Sequence, residues 1–183
     1  MHVEQHSREI FSIANFLSPE ECRTLITLSE TIGYDEAPIM THRGPRMMKE
    51  VRNNTRVLHK DEALARRLYE KALPVLPSAV GHSGICGFNE LFRFYRYYPG
   101  EHFKRHRDGA FIRSAEESSF FTFMIYLNDA CAGGATAFAG FSVRPEVGKA
   151  LIFLHSVLHE GEAVSEGVKY VLRTDVMYRL PQL

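Results

Sequence analysis

Residues 89–98 read NELFRFYRYY, and this run decides how the chain is expected to fold. It is filled with residues that favour strands, and alternation puts Arg93, Tyr95 and Tyr97 on one face and Phe94, Arg96 and Tyr98 on the other. One of these sets is expected to face a cavity. The same texture returns in SSFFTFMIYLND (118–129), ATAFAGFSV (135–143), ALIFLHSVLHE (150–160) and KYVLRTDVMYRL (169–180), with Gly, Pro, Asp or Ser between them. The C-terminal half is therefore expected to be a β-structure.

Towards the N-terminus the pattern changes. IFSIANF (10–16) reads as a short strand that runs into LSPEEC (17–22). There Ser18 is a ready N-cap, Pro19 fits the first helical position and Glu21 completes a capping box. Cys22, Leu25, Ile26 and Leu28 recur at helical spacing until Gly33 stops the helix. A second helix opens at Asp61 and runs to about Leu73, with Leu64, Leu68, Ala72 and Leu76 on one stripe and Pro74 and Pro77 ending it. Between the helices, APIMTHRGPRMMK (37–49) shows no periodicity and reads as a loop, with Arg43, Arg46 and Lys49 placed to close over an opening. Strands and helices do not alternate, so the expected class is α+β, mainly β. The 183 residues are expected to make one domain, with N-terminal helical support over 1–85 and a β core over 86–183.

Composition narrows the function. Lys plus Arg (22) equals Asp plus Glu (22), so no global field draws the chain to nucleic acid or an anionic membrane, and neither is expected as a partner. No apolar run reaches the ~18–20 residues needed to span a bilayer. Met1–Glu9 is too polar for a signal peptide. Three scattered cysteines, Cys22, Cys86 and Cys131, fit reduced thiols and a cytoplasmic location. Nine histidines accompany no tryptophan, which directs attention to metal and acid–base chemistry.

In FKRHRD (103–108), His106 and Asp108 stand two apart, and on an extended segment such residues project to the same face. A third imidazole from a distant strand would complete the two-histidine, one-carboxylate set that leaves positions open on iron. His159, where the apolar run IFLHSVLHEG (152–161) meets a turn, is the best placed. His155, four residues earlier, lacks the following Glu of a helical zinc site, and Glu160 points away from His159 on a strand, so hydrolytic zinc chemistry is poorly supported. Lys169 begins a strand just past Gly167, near enough to bring a fixed cation to the metal.

Taken together these runs resemble the iron(II)- and 2-oxoglutarate-dependent dioxygenases, specifically the prolyl-4-hydroxylase-like branch. The similarity lies in FLSPEECRTLI (16–26), YYPGEHFKRHRD (97–108), IYLND (125–129), GGATAF (133–138) and GKALIFLHSVLHEGEAVSEGVKYVL (148–172), in that order and over nearly the whole chain. The resemblance implies a double-stranded β-helix, the jelly-roll or cupin-like barrel, flanked by the N-terminal helices. It implies His106, Asp108 and His159 as catalytic iron ligands, and iron(II), 2-oxoglutarate and O2 as cofactors, with ascorbate optional. The cosubstrate's far carboxylate would meet Lys169 and the Tyr126 hydroxyl; Arg173 shares the lysine's face, and Tyr97 and Thr136 line the same cavity. Tyr95, Arg52 and Asn54 are candidates for the substrate side, although Arg52 to Arg56 also reads as a polar turn. The implied reaction hydroxylates an unactivated carbon of a peptide, free amino acid or small metabolite and releases succinate and CO2. The alternative is a β-helix module that binds a metal or organic acid without catalysis. Ala135 and Ala137 depart from the larger or polar residues of many relatives, and oligomeric state is not legible.

Overall fold

The computed structural model describes residues 2–41 and 44–181, so His42 and Arg43, which the sequence places in the basic loop, lie outside the described residues. The chain runs through β1 (His2–Ser7), β2 (Ile10–Ala14), α1 (Pro19–Ile32), β3 (Asp35–Glu36), β4 (Ile39–Thr41), β5 (Gly44–Arg46), β6 (Thr55–Lys60) and α2 (Glu62–Ala72). There follow β7 (Ala79–Val80), β8 (Ser83–Phe88), β9 (Leu91–Tyr97), β10 (Phe103–His106), β11 (Glu117–Tyr126) and β12 (Cys131–Gly133). The last elements are β13 (Thr136–Ala137), β14 (Ser142–Val143), β15 (Ala150–Leu154), β16 (His159–Gly161), β17 (Val164–Gly167) and β18 (Lys169–Arg179).

Two antiparallel sheets make the body. The large one has the order β1-β2-β15-β11-β18-β9-β6-β3, with β8 joining β18 to β7; the small one runs β10-β16-β13-β14. This is the jelly-roll arrangement of a double-stranded β-helix. Alternation along the central strands sorts side chains to its two faces. Phe121, Phe123 and Ile125 of β11, with Phe92 and Phe94 of β9, join the core beneath the helices. Met124 and Tyr126, with Tyr95 and Tyr97, join a second core between the sheets. Phe138 and Phe153 also belong to this second core, whereas Phe123 and Ile125 face the helices.

Both helices begin as their sequences dictate. The Ser18 side chain accepts from the Glu21 N–H (3.1 Å) while Glu21 accepts from the Ser18 N–H (2.9 Å), with Pro19 in the first turn. Asp61 caps α2 by accepting from the Leu64 N–H (2.9 Å), and Leu64, Leu68, Ala72 and Leu76 are buried against the sheet. Each fully buried leucine of this kind contributes roughly 1.5–3 kcal/mol.

The first 85 residues are not only helical. They supply β1, β2, β3, β6 and β7 to the large sheet, and residues 37–49, read from sequence as a loop, contain the β4–β5 hairpin. β2 is buried and is already legible as a strand in 10–16; β1 and β6 escape a reading by hydrophobic alternation because little of them is buried: all but two residues of β1 are exposed, and β6 buries only Val57. Pairing with β2 and β9 makes them strands.

Candidate active site

His106 is the last residue of β10 and His159 the first of β16, and the two are direct partners across that antiparallel pair. Pairing therefore brings together two imidazoles 53 positions apart, with ring centroids 4.3 Å from each other. Asp108 lies just past the end of β10 and is fixed by its N–H, which donates to the His155 carbonyl (3.1 Å). Its Oδ1 is 3.6 Å from His106 Nε2 and its Oδ2 is 3.7 Å from His159 Nε2. One ligand atom from each of the three lies within 4.8 Å of the others.

The imidazoles are set in the tautomer a metal requires. His106 Nδ1 bonds the Lys104 carbonyl (2.8 Å) and His159 Nδ1 bonds the Val157 carbonyl (3.0 Å). A carbonyl only accepts, so Nδ1 carries the proton and Nε2 presents its lone pair to the shared centre. Burial pushes His159 down to about 4, against the pull of Asp108, so the ring is neutral near pH 7. Burial opposes the charge of Asp108, yet Arg173, His106, His159 and Thr122 outweigh it and hold the carboxyl well below the usual carboxylate range. Neutral imidazoles, an ionised carboxylate and a mostly apolar wall make a donor set that fits a divalent iron.

Asp108 is held from behind by residues that spacing did not reveal. Thr122 on β11 donates to Asp108 Oδ2 (2.5 Å), and Arg173 approaches the same oxygen (3.2 Å). The threonine has a single hydroxyl proton, so it accepts from His155 Nδ1–H (3.0 Å), which leaves His155 Nε2 to accept from the Ser119 hydroxyl (2.8 Å). Arg173 is shared with Asp175 (3.3 Å), itself bonded by Arg93 (3.0 Å) and Asn89 (3.1 Å). Arg173, expected beside Lys169 on a cosubstrate carboxylate, is thus engaged by two carboxylates of the protein. Thr122 was legible as the lone polar residue inside FFTFMIY (120–126).

Lys169 opens β18 and is 2% exposed. Its ammonium donates to the Gly134 carbonyl (2.6 Å) and lies 4.9 Å from the Tyr97 ring centroid, and no carboxylate among the described residues pairs with it. Burial drives its pKa down to about 8, with Cys131 and Glu162 resisting. Two glycines seat the chain around it. Gly167 (φ +74°) passes so near the Ala130 carbonyl that a Cβ would stand 2.2 Å from the oxygen, and a Cβ on Gly134 (φ +65°) would press on the lysine stem at 3.0 Å.

Tyr126, expected to share the cosubstrate carboxylate with Lys169, is fully buried, and its hydroxyl is committed to Thr136 Oγ1 (2.6 Å) and the Val143 carbonyl (3.1 Å). Thr136 lines the cleft and Tyr126 does not. Tyr95 and Tyr97 both line it, with Phe103 and Phe153 beside the triad and Lys169 and Arg173 within the same wall. Arg52 and Asn54 stand outside that lining. Arg52 Cζ lies 4.6 Å from the Tyr95 and Phe103 ring centroids, and its Nε donates to Asn54 Oδ1 (2.8 Å). Asn54 donates in turn to the Thr55 carbonyl (2.9 Å), so it braces Arg52 from behind.

The sheet architecture is that of a double-stranded β-helix, and it carries the two-histidine, one-carboxylate donor set that suits non-haem iron. Residues 92–174, which carry the triad and Lys169, match the model of the 2OG-Fe(II) oxygenase superfamily. The fold is similar to that of a viral collagen prolyl hydroxylase from Paramecium bursaria Chlorella virus-1, solved as its 2OG complex: TM-score 0.69, 21% identity, covering 95% of this chain and 98% of that one. A Pseudomonas putida prolyl-4-hydroxylase is comparable (TM-score 0.67, 16% identity, 92% of each chain). So is a Trichoplax adhaerens prolyl hydroxylase solved with a peptide fragment of the hypoxia inducible factor oxygen degradation domain (TM-score 0.68, 15% identity, 93% of this chain and 84% of that one). No curated protein sequence matches the chain. The chain thus has a prolyl-hydroxylase-like fold, and its residues 92–174 carry the match to the 2OG-Fe(II) oxygenase superfamily.

Proposed function

We propose that residues 1–183 form a single oxygenase domain that hydroxylates an unactivated carbon of a peptide, free amino acid or small metabolite, converting 2-oxoglutarate and O2 to succinate and CO2. The observation that carries this reading is the pairing, in one cleft, of two imidazole Nε2 lone pairs and one carboxylate with a buried lysine that has no carboxylate partner. Bound iron(II) with 2-oxoglutarate would supply the oxidising power. The chain's own residues do the rest.

His106, Asp108 and His159 would hold the metal. Lys169 would neutralise the far carboxylate of the cosubstrate, since a compact buried ammonium suits a single charged terminus. The Thr136 hydroxyl, already oriented by Tyr126, is the neighbouring polar group on the cleft wall. Phe153, Met124 and Val171 keep that wall apolar and exclude water from the reacting carbon. Tyr95 stands on the substrate side of the cleft, with Arg52 braced by Asn54 behind it. The free cysteines support a reducing, cytoplasmic setting.

Aerobic incubation with iron(II) and 2-oxoglutarate, without added substrate, should release succinate slowly in the wild type and not in His106→Ala. Folded, metal-loaded protein that consumes no 2-oxoglutarate would support the non-catalytic module instead.

A further inference from the structure

Three cationic side chains are buried among the described residues: Arg52 (5% exposed), Lys149 (8%) and Lys169 (2%). Lys149 is paired with Glu146. Neither Arg52 nor Lys169 has a carboxylate partner among the described residues, and one terminal nitrogen of Arg52 has no hydrogen-bond partner at all. A buried charge left in this state is costly, and an anionic ligand would relieve that cost.

Lys169 lines the cleft and Arg52 stands just behind that lining, each over a tyrosine of the same face of β9. Lys169 lies 4.9 Å from the Tyr97 ring, and Arg52 lies 4.6 Å from the Tyr95 ring, two residues back along β9. Arg52 also stacks on Phe103, whose ring lies 3.5 Å from that of His106. The acids buried around the triad are already engaged by other arginines. Asp108 and Asp175 are engaged by Arg173 and Arg93, and Arg56 adds positive charge beside Arg52. If 2-oxoglutarate places one carboxylate on the metal and the other on Lys169, Arg52 is the buried cation that remains.

We propose that Arg52 anchors a carboxylate of the substrate, so that the oxygenase acts on a carboxylate-bearing molecule. This rests on the oxygenase reading above. Asn54 fixes Nε, the two rings hold the guanidinium plane, and the unpartnered nitrogen is left to donate to the anion.

Acetate is the minimal probe. Protein loaded with Zn(II), a diamagnetic stand-in for iron, and 2-oxoglutarate is titrated with acetate or acetamide at constant ionic strength. The readouts are the Arg52 Nε–H resonance in the wild type, identified by its loss in Arg52→Gln, and the Phe103 ring resonances in the wild type and both variants. The proposal expects a saturable shift with acetate and none with acetamide. It also expects acetate binding about tenfold weaker or more in Arg52→Gln and an intermediate loss in Arg52→Lys, while 2-oxoglutarate affinity stays within about twofold. No acetate shift, an equal response to acetamide, or a loss of 2-oxoglutarate affinity matching that of acetate would each overturn it. Displacement of acetate by a free amino acid, or by a glutamate-containing peptide blocked at both ends, separates a small-molecule source of the carboxylate from a peptide one. Failure of 2-oxoglutarate itself to bind, read before acetate is added, counts against the oxygenase reading; the acetate response of the same sample still decides whether Arg52 is an anion site.

Discussion

The Thr122 hydroxyl stands 2.5 Å from Asp108 Oδ2 and is its hydrogen-bond donor, because a carboxylate can only accept. With Arg173 on the same oxygen, this leaves Oδ1 as the oxygen free to meet a metal. The large sheet thereby orients a ligand that belongs to the loop after β10.

Thr122→Val keeps shape and removes the donor. Metal affinity should fall about 10- to 100-fold, as for other losses of a partner behind a ligand, with a much smaller change in thermal stability. Mn(II) binding followed by electron paramagnetic resonance is the check.

Lys169→Ala should weaken 2-oxoglutarate binding by about 10- to 100-fold, the cost of a lost charge-assisted bond, while leaving Mn(II) affinity nearly intact. Calorimetric titration of each ligand separates the two effects.

Acid should destabilise the metal-free protein. His159 titrates at about 4 in the fold against 6.5 when unperturbed, so the unfolded chain binds the extra proton between these values. The stability is complete above pH 6.5 and is lost as pH falls through 4. His155, also lowered by burial, adds in the same direction. The His159 contribution amounts to about 3 kcal/mol at most. Melting temperatures in chelator across this window should fall steeply for the wild type and less for His159→Ala.

Leu68→Ala empties a wholly buried site under the sheet and should cost about 2–5 kcal/mol of stability without altering Mn(II) affinity. Urea denaturation measures the first and metal titration the second.

Sequence revealed the parts of this site that depend on local spacing. The period of two along 89–98 separated Tyr95 and Tyr97 from Phe94, and the H-x-D pair with a distant His located the triad. The supports of the triad depend on pairing between remote strands. That His155 reaches Thr122, or that Asp175 draws Arg173 towards Asp108, is set by the register of β11 against β15 and β18. The partners of the Tyr126 hydroxyl, Thr136 and Val143, were hidden for the same reason, since they come from the other sheet. The polar strands β1 and β6 were invisible to hydrophobic alternation because their pairing, more than their burial, makes them strands.

The most direct test of the account is anaerobic addition of iron(II) and 2-oxoglutarate, watched for the weak visible charge-transfer band of a chelated keto acid. The account predicts a band in the wild type, none in His106→Ala or Asp108→Ala, and one that needs much more 2-oxoglutarate in Lys169→Ala. Folded protein that binds iron yet shows no band at saturating 2-oxoglutarate would contradict it.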